Sequence, residues 1–125
     1  MPNLVLLMQR EAIAQALMMK LRDSPSISLI YESDYNYAEI AINSTNAKAV
    51  LIEVVESGPY DIGYCLKLCK EIRKNIPRCK LILMCPEQDE KSVRQVVGAK
   101  AENKIDDFVF YDVTIDYLAS KLMSI

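Results

Sequence analysis

Histidine is absent from this chain, and several kinds of chemistry go with it. No Ser–His or Cys–His nucleophile pair, histidine-ligated metal or phosphohistidine carrier can be built. Long apolar runs are missing as well, since nothing approaches the ~20 residues that span a bilayer. The opening residues carry no basic segment and no small-residue cleavage site, and the apolar stretch Leu4 to Met8 is too short for a signal peptide. A cytoplasmic location is therefore expected. Glycine is scarce, three in all, and forms no Gly-rich phosphate loop. Neither sign of charge prevails: a net charge of −2 gives no field that argues for nucleic acid or an anionic membrane.

What is present is a large apolar fraction, 51% of 125 residues, enough for the core of one domain spanning 1–125. The four cysteines are Cys65, Cys69, Cys79 and Cys85. Their spacing is not that of a zinc ribbon, and reduced thiols in or near the core are expected.

Two kinds of segment alternate. Short, nearly continuous apolar runs at Leu4–Met8, Ile27–Tyr31, Ala49–Val54, Leu81–Cys85 and Phe108–Tyr111 are predicted as strands of a parallel sheet covered on both faces. Between them, helical spacing joins Ile13, Leu17 and Leu21, then Ile62, Cys65, Cys69, Ile72 and Ile76, and finally Ile115, Leu118, Ala119 and Leu122. Val93, Val96 and Val97 mark a fourth helix, and a shorter one is predicted around Tyr37, Ile40 and Ala41. Asp23-Ser24-Pro25 and Asn75-Ile76-Pro77 end helices, and Thr114 is suited to cap the last one. The order βαβαβαβαβα implies right-handed crossovers with helices on both faces. Ligands of such sheets sit at the carboxyl ends of the strands, near the topological switch point. Function is therefore to be read from Met8, Gln9, Glu53, Cys85 and Tyr111.

Five such units, with Ala49-Val-Leu-Ile-Glu53, Leu68-Cys-Lys-Glu-Ile-Arg73, Leu81-Ile-Leu-Met-Cys85 and Asp106-Asp-Phe-Val-Phe-Tyr111, resemble a response-regulator receiver domain over essentially the whole chain. The resemblance implies a CheY-like, flavodoxin-like three-layer α/β fold with five parallel strands in the order 2-1-3-4-5. In receivers an acidic pair after the first strand helps bind Mg²⁺; here Met8 and Gln9 stand there. Glu53 takes the place of the phosphoaccepting aspartate, Cys85 that of the Thr or Ser, and Tyr111 that of the lysine. Asp112 replaces the proline that follows, Phe108 matches the aromatic position that reports activation, and the loop Glu56-Ser-Gly-Pro-Tyr-Asp61 is longer than usual.

Mg²⁺ wants near-octahedral oxygen ligation, and Met8 offers no oxygen while Gln9 offers a neutral amide. Loss of the lysine and the acidic pair together is expected to remove both the metal and the fixed cation on which phosphoryl transfer depends. Two readings of Glu53 follow: a built-in negative charge imitating a phosphorylated aspartate, or, more simply, a half-exposed carboxylate left at a loop without a job. Cys85 is expected to be an unreactive thiol, because Glu87, Asp89 and Glu90 follow it. Lys91, Arg94, Lys100 and Lys104 read as a solvated face, and the tyrosines as scattered.

The leading expectation is an atypical receiver of two-component, phosphorelay-type signalling or transcription regulation, with no catalytic residue, cofactor or metal. It stands alone or serves as the input domain of a longer chain with a DNA-binding domain, and does not itself bind nucleic acid or membrane. Its partner, a protein or a second copy, is expected on the face of the fourth helix, fifth strand and fifth helix, with Lys100 and Lys104. The alternative is a phosphoacceptor receiver using Glu53 with Glu56 or Asp61 as unusual metal ligands. A flavodoxin-like small-molecule or thiol enzyme comes third, for want of a phosphate loop or a general base.

Overall fold

In the computed structural model, which describes residues 2–125, strands and helices alternate without interruption. The elements are β1 (Asn3–Leu7), α1 (Glu11–Lys20), β2 (Ser28–Glu32), α2 (Ala38–Thr45), β3 (Ala49–Glu53), α3 (Ile62–Asn75), β4 (Lys80–Cys85), α4 (Glu90–Ala101), β5 (Asp107–Phe110) and α5 (Ile115–Met123). A 3-10 turn, Tyr35–Tyr37, leads into α2. All strand pairs are parallel, in the order β2-β1-β3-β4-β5, as expected. Val5 lies opposite Ile30 and Val50, and Val50 opposite Leu81, so the central strands run in register.

The side chains of a strand point alternately to its two faces, and each face has its own core. Val5, Leu7, Val50, Ile52, Leu81 and Leu83 pack on the α2–α3–α4 side; Leu4, Leu6, Leu51, Ile82 and Met84 pack against α1 and α5. This explains why β1, β3 and β4 are continuously apolar, whereas the edge strand β2 is half-buried along its length.

On α3, Ile62, Cys65, Cys69 and Ile72 form the buried face that the periodicity predicts. Asp61 caps it by accepting from the Tyr64 amide at 3.0 Å, and Thr114 caps α5 by accepting from the Tyr117 amide at 3.0 Å. The β3–α3 loop needs Gly58, whose φ of 105° is in the region L side chains avoid.

Two helix faces differ from expectation. Ala38 and Ile42 anchor α2, while Tyr37 and Ile40 are exposed, because the tighter 3-10 turn offsets the winding before the helix starts. On α4 the buried residues are Ser92, Val96 and Ala99, and Val97 faces solvent. Ser92 tolerates burial because its hydroxyl donates to Asp89. Among the described residues no helix is long and apolar enough to cross a membrane.

Candidate functional site

The strand order reverses between β1 and β3, and the residues that leave those strands meet there. Glu53, the last residue of β3, is 1% exposed. Its Oε1 accepts the backbone amides of Gln9 at 2.8 Å and Arg10 at 3.0 Å. Its Oε2 receives Nε of Arg10 at 2.5 Å. This corrects the simpler expectation of a half-exposed carboxylate at an idle loop: burying an unpaired carboxylate is costly, and here each oxygen has a donor.

Arg10 occupies the position before α1 where Ser, Thr, Asp or Asn would ordinarily cap the helix. Its side chain makes no cap. The carboxylate of Glu53 holds the two amides just before the helix and brings from another strand the negative charge that a helix N-terminus favours. The guanidinium of Arg10 also lies 4.0 Å over the ring of Tyr111 and within 3.7 Å of Sδ of Met84. Tyr111 therefore holds a cation by its π face where a lysine would have brought one of its own. The expectation that the site has lost its fixed cation is corrected accordingly; the cation arrives from the β1–α1 loop.

The other positions settle around this pair. Met8 lies just beyond β1, fully buried, and its carbonyl accepts from Tyr31 Oη at 3.1 Å. The Gln9 side chain turns away to donate to the carbonyl of Ser33 at 2.6 Å, so only its backbone reaches Glu53. Cys85 is buried, and burial pushes its thiol up to about 12, with Asp89 adding to the effect. Burial likewise pushes the phenol of Tyr111 well above its ordinary value, the charge of Glu53 adding and Arg10 opposing. At the rim, a hydrogen bond with Asp112 raises the carboxyl of Glu87.

Beneath Glu53 the tyrosines are not scattered. Tyr35, fully buried, stacks on Tyr60 with centroids 4.0 Å apart and planes at 3°, and Tyr64 tilts against both. Tyr35 Oη donates to the backbone carbonyl of Glu53 at 2.6 Å, fixing the end of β3 from below. No local motif announces this cluster, because its members come from the β2–α2 turn, the β3–α3 loop and α3.

The loop acids proposed as alternative ligands do not join Glu53. Asp61 is committed to the cap of α3, Glu56 is exposed, and among the described residues no three Asp, Glu or Cys side chains are placed to hold a metal.

Across the sheet, Phe108 lies in β5, half-buried, with its ring edge-on to Phe110 at 5.6 Å. Nζ of Lys100 sits 5.6 Å from the Phe108 ring and 3.0 Å from Asp107 Oδ1. Lys121 of α5 reaches Oδ2 of the same aspartate at 2.7 Å. Asp107 thus ties α4 and α5 to β5. Lys104 is exposed and pairs with Glu102 at 3.6 Å.

No protein-family profile matches the chain, and no curated protein matches it in sequence. Solved structures do. A DNA-binding response regulator of the LuxR family from Staphylococcus aureus is 16% identical, with 99% of this chain and 98% of that one aligned at a TM-score of 0.76. A CheY-like response regulator receiver domain protein from Methanospirillum hungatei JF-1 gives 12% identity, coverages of 99% and 92%, and a TM-score of 0.77. An adenylate cyclase from Rhodopirellula baltica gives 10% identity, coverages of 98% and 84%, and a TM-score of 0.80. The fold is that of CheY-like receiver domains.

Proposed function

We propose that residues 1–125 form one receiver-like domain of a two-component-type signalling or transcription-regulatory protein, acting in the cytoplasm through phosphorylation-independent protein contacts and not as an enzyme. One observation carries this reading: both oxygens of Glu53 are already engaged, by two amides and by Arg10. A phosphoacceptor needs a free lone pair facing its donor, a metal beside it and room for three more oxygens. Here the space next to Glu53 is filled by a guanidinium clamped between the carboxylate and Tyr111. Glu53 brings one charge where a phosphoryl group adds about −1.5 to −2, and the Arg10 cation offsets even that one. The pair is a lock on the strand ends and not a copy of the phosphorylated state.

What remains for signalling is the α4–β5–α5 face. Its working residues are Lys100 and Lys104, with Phe108 held under Lys100 in one arrangement by the Asp107 tie. The partner is a protein or a second copy of the chain. Any DNA-binding domain belongs elsewhere in a longer protein.

Intact mass after incubation with acetyl phosphate and Mg²⁺ tests the proposal. The expected spectrum is that of the untreated protein. A phosphoryl adduct that disappears in Glu53→Ala would overturn it, as would saturable Mg²⁺-dependent shifts of the Gln9 and Arg10 amide resonances.

A further inference from the structure

The face of α3 that looks away from Glu53 carries Gly63, Leu66, Lys67, Lys70 and Arg73 at helical spacing. With Lys104, beyond the end of α4, they enclose a groove of about 540 Å³. We propose that this groove binds a phosphorylated small molecule of nucleotide size. The proposal does not depend on the signalling role argued above.

Charge is the first argument. In a chain of net charge −2, four cations converge on one cavity. Arg73 is anchored by Asp106 at 3.2 Å and Lys104 pairs loosely with Glu102 at 3.6 Å, while Lys67 and Lys70 make no ion pair among the described residues. Like charges stacked three residues apart on a helix cost stability unless an anion meets them. Hydrogen bonding is the second argument. The Arg73 side chain is a third exposed and only its Nη2 donates, to Asp106, so the exposed part of its guanidinium is left free to meet a phosphate oxygen.

Shape and lining choose the ligand class. The volume lies within the roughly 300–1,000 Å³ of small-molecule sites. Leu66 and the methylene stems of Lys67 and Lys70 offer an apolar wall under their charged heads. The amides of Gln95 and Asn103 can both donate to and accept from a heterocycle. A ligand with a flat apolar part and an anionic tail uses all of these. A single nucleic-acid strand would want aromatic stacking platforms, and the groove has none.

Amide-resolved NMR titration of the full chain with Mg²⁺-free ATP, pyrophosphate and pentaglutamate tests this. ATP is expected to give saturable shifts at Gly63, Leu66, Lys67, Lys70, Gln95 and Asn103, with pyrophosphate binding more weakly for lack of a group against Leu66. Lys67→Glu with Lys70→Glu is expected to weaken ATP by about tenfold or more, whereas the equal charge change Lys91→Glu with Arg94→Glu leaves it unaltered. Absence of saturation, equal binding by the two double variants, pyrophosphate as tight as ATP, or pentaglutamate tighter than ATP would each overturn the proposal.

Discussion

The switch point between β1 and β3 and the outer faces of α3 and α4 are opposites in how they treat charge. At the switch point a single carboxylate, 1% exposed, is matched by donors from one short loop and roofed by a tyrosine. On the outer faces Lys67, Lys70 and Lys104 are exposed, and their charges are partnered loosely or not at all. The first arrangement satisfies its own charges; the second leaves donors open to solvent. At the ends of β1 and β3 this sequence has supplied its own cation. In the reading proposed above, recognition is left to surfaces that still have bonding capacity.

The largest way to break this contrast is to raise the pH. Through the core on the α3 side of the sheet, burial pushes the thiols of Cys69 and Cys85 up to about 12 and that of Cys79 up to about 11, against an ordinary value of 9.0. The Cys65 thiol and the Tyr35 and Tyr111 phenols are raised by burial further still. Each is neutral when protonated, so between its ordinary and its raised value the folded chain holds a proton that the unfolded chain has released. The stabilisation is present in full below pH 9 and is lost as pH rises toward 12. Each such group lowers stability by about 1.4 kcal/mol per pH unit in that window. Stability read by urea unfolding is expected to be flat from pH 7 to about 8.5 and to fall steeply above, with most or all of it gone by pH 11. Cys85→Ala is expected to make that fall shallower. An unchanged midpoint at pH 10.5 would mean that this core admits water.

Next in size is the Arg10–Glu53 pair. Arg10→Ala leaves a buried carboxylate with two amide donors and no counter-charge, and is expected to cost about 2–3 kcal/mol, the partial exposure of Arg10 keeping the loss below that of a fully buried pair. Arg10→Met combined with Glu53→Leu, which removes both charges and keeps the volume, is expected to restore much of the loss. A double-mutant cycle by urea unfolding reads the coupling. Additive single effects would show that Arg10 is a surface residue and the pocket an open one.

The layout of the sheet was legible in the sequence because it depends on local periodicity. Four buried positions of α3 and the Thr114 cap follow from spacing alone, whereas the strand order came with the resemblance to receiver domains. Register within helices was less legible: one 3-10 turn is enough to expose Tyr37 and Ile40, and Val97 is apolar without being buried. The pair at the site was not read. Glu53 was picked out by its place at a strand end, but its burial depends on a residue 43 positions away. The available signal was negative, an arginine standing before Glu11 where a capping side chain belongs. The tyrosine cluster, drawn from two loops and a helix, left no periodic trace at all.

The smallest effect on stability is expected where the effect on association is expected to be largest. Lys104→Glu removes a loose exposed pair and is expected to shift unfolding by less than about 0.5 kcal/mol. Lys100→Glu goes further, because the Asp107 carboxyl is pushed up by burial but held below its ordinary value by hydrogen bonds from Lys121 and Lys100. Reversing Lys100 leaves Lys121 as the remaining ion-pair partner and sets a like charge beside Asp107. Part of that carboxylate's stabilisation, present above its unfolded value and lost on acidification, is then missing at neutral pH. Both variants are expected to stay folded, so that a change in assembly reports on the surface itself. Sedimentation velocity of the chain alone, and pull-down with a partner once one is in hand, are expected to show weaker association for the two reversals and little change for Glu53→Gln. The opposite pattern, with association intact in both lysine variants and lost in Glu53→Gln, would return the working site to the strand ends, with the Arg10 lock as the element that a partner must recognise.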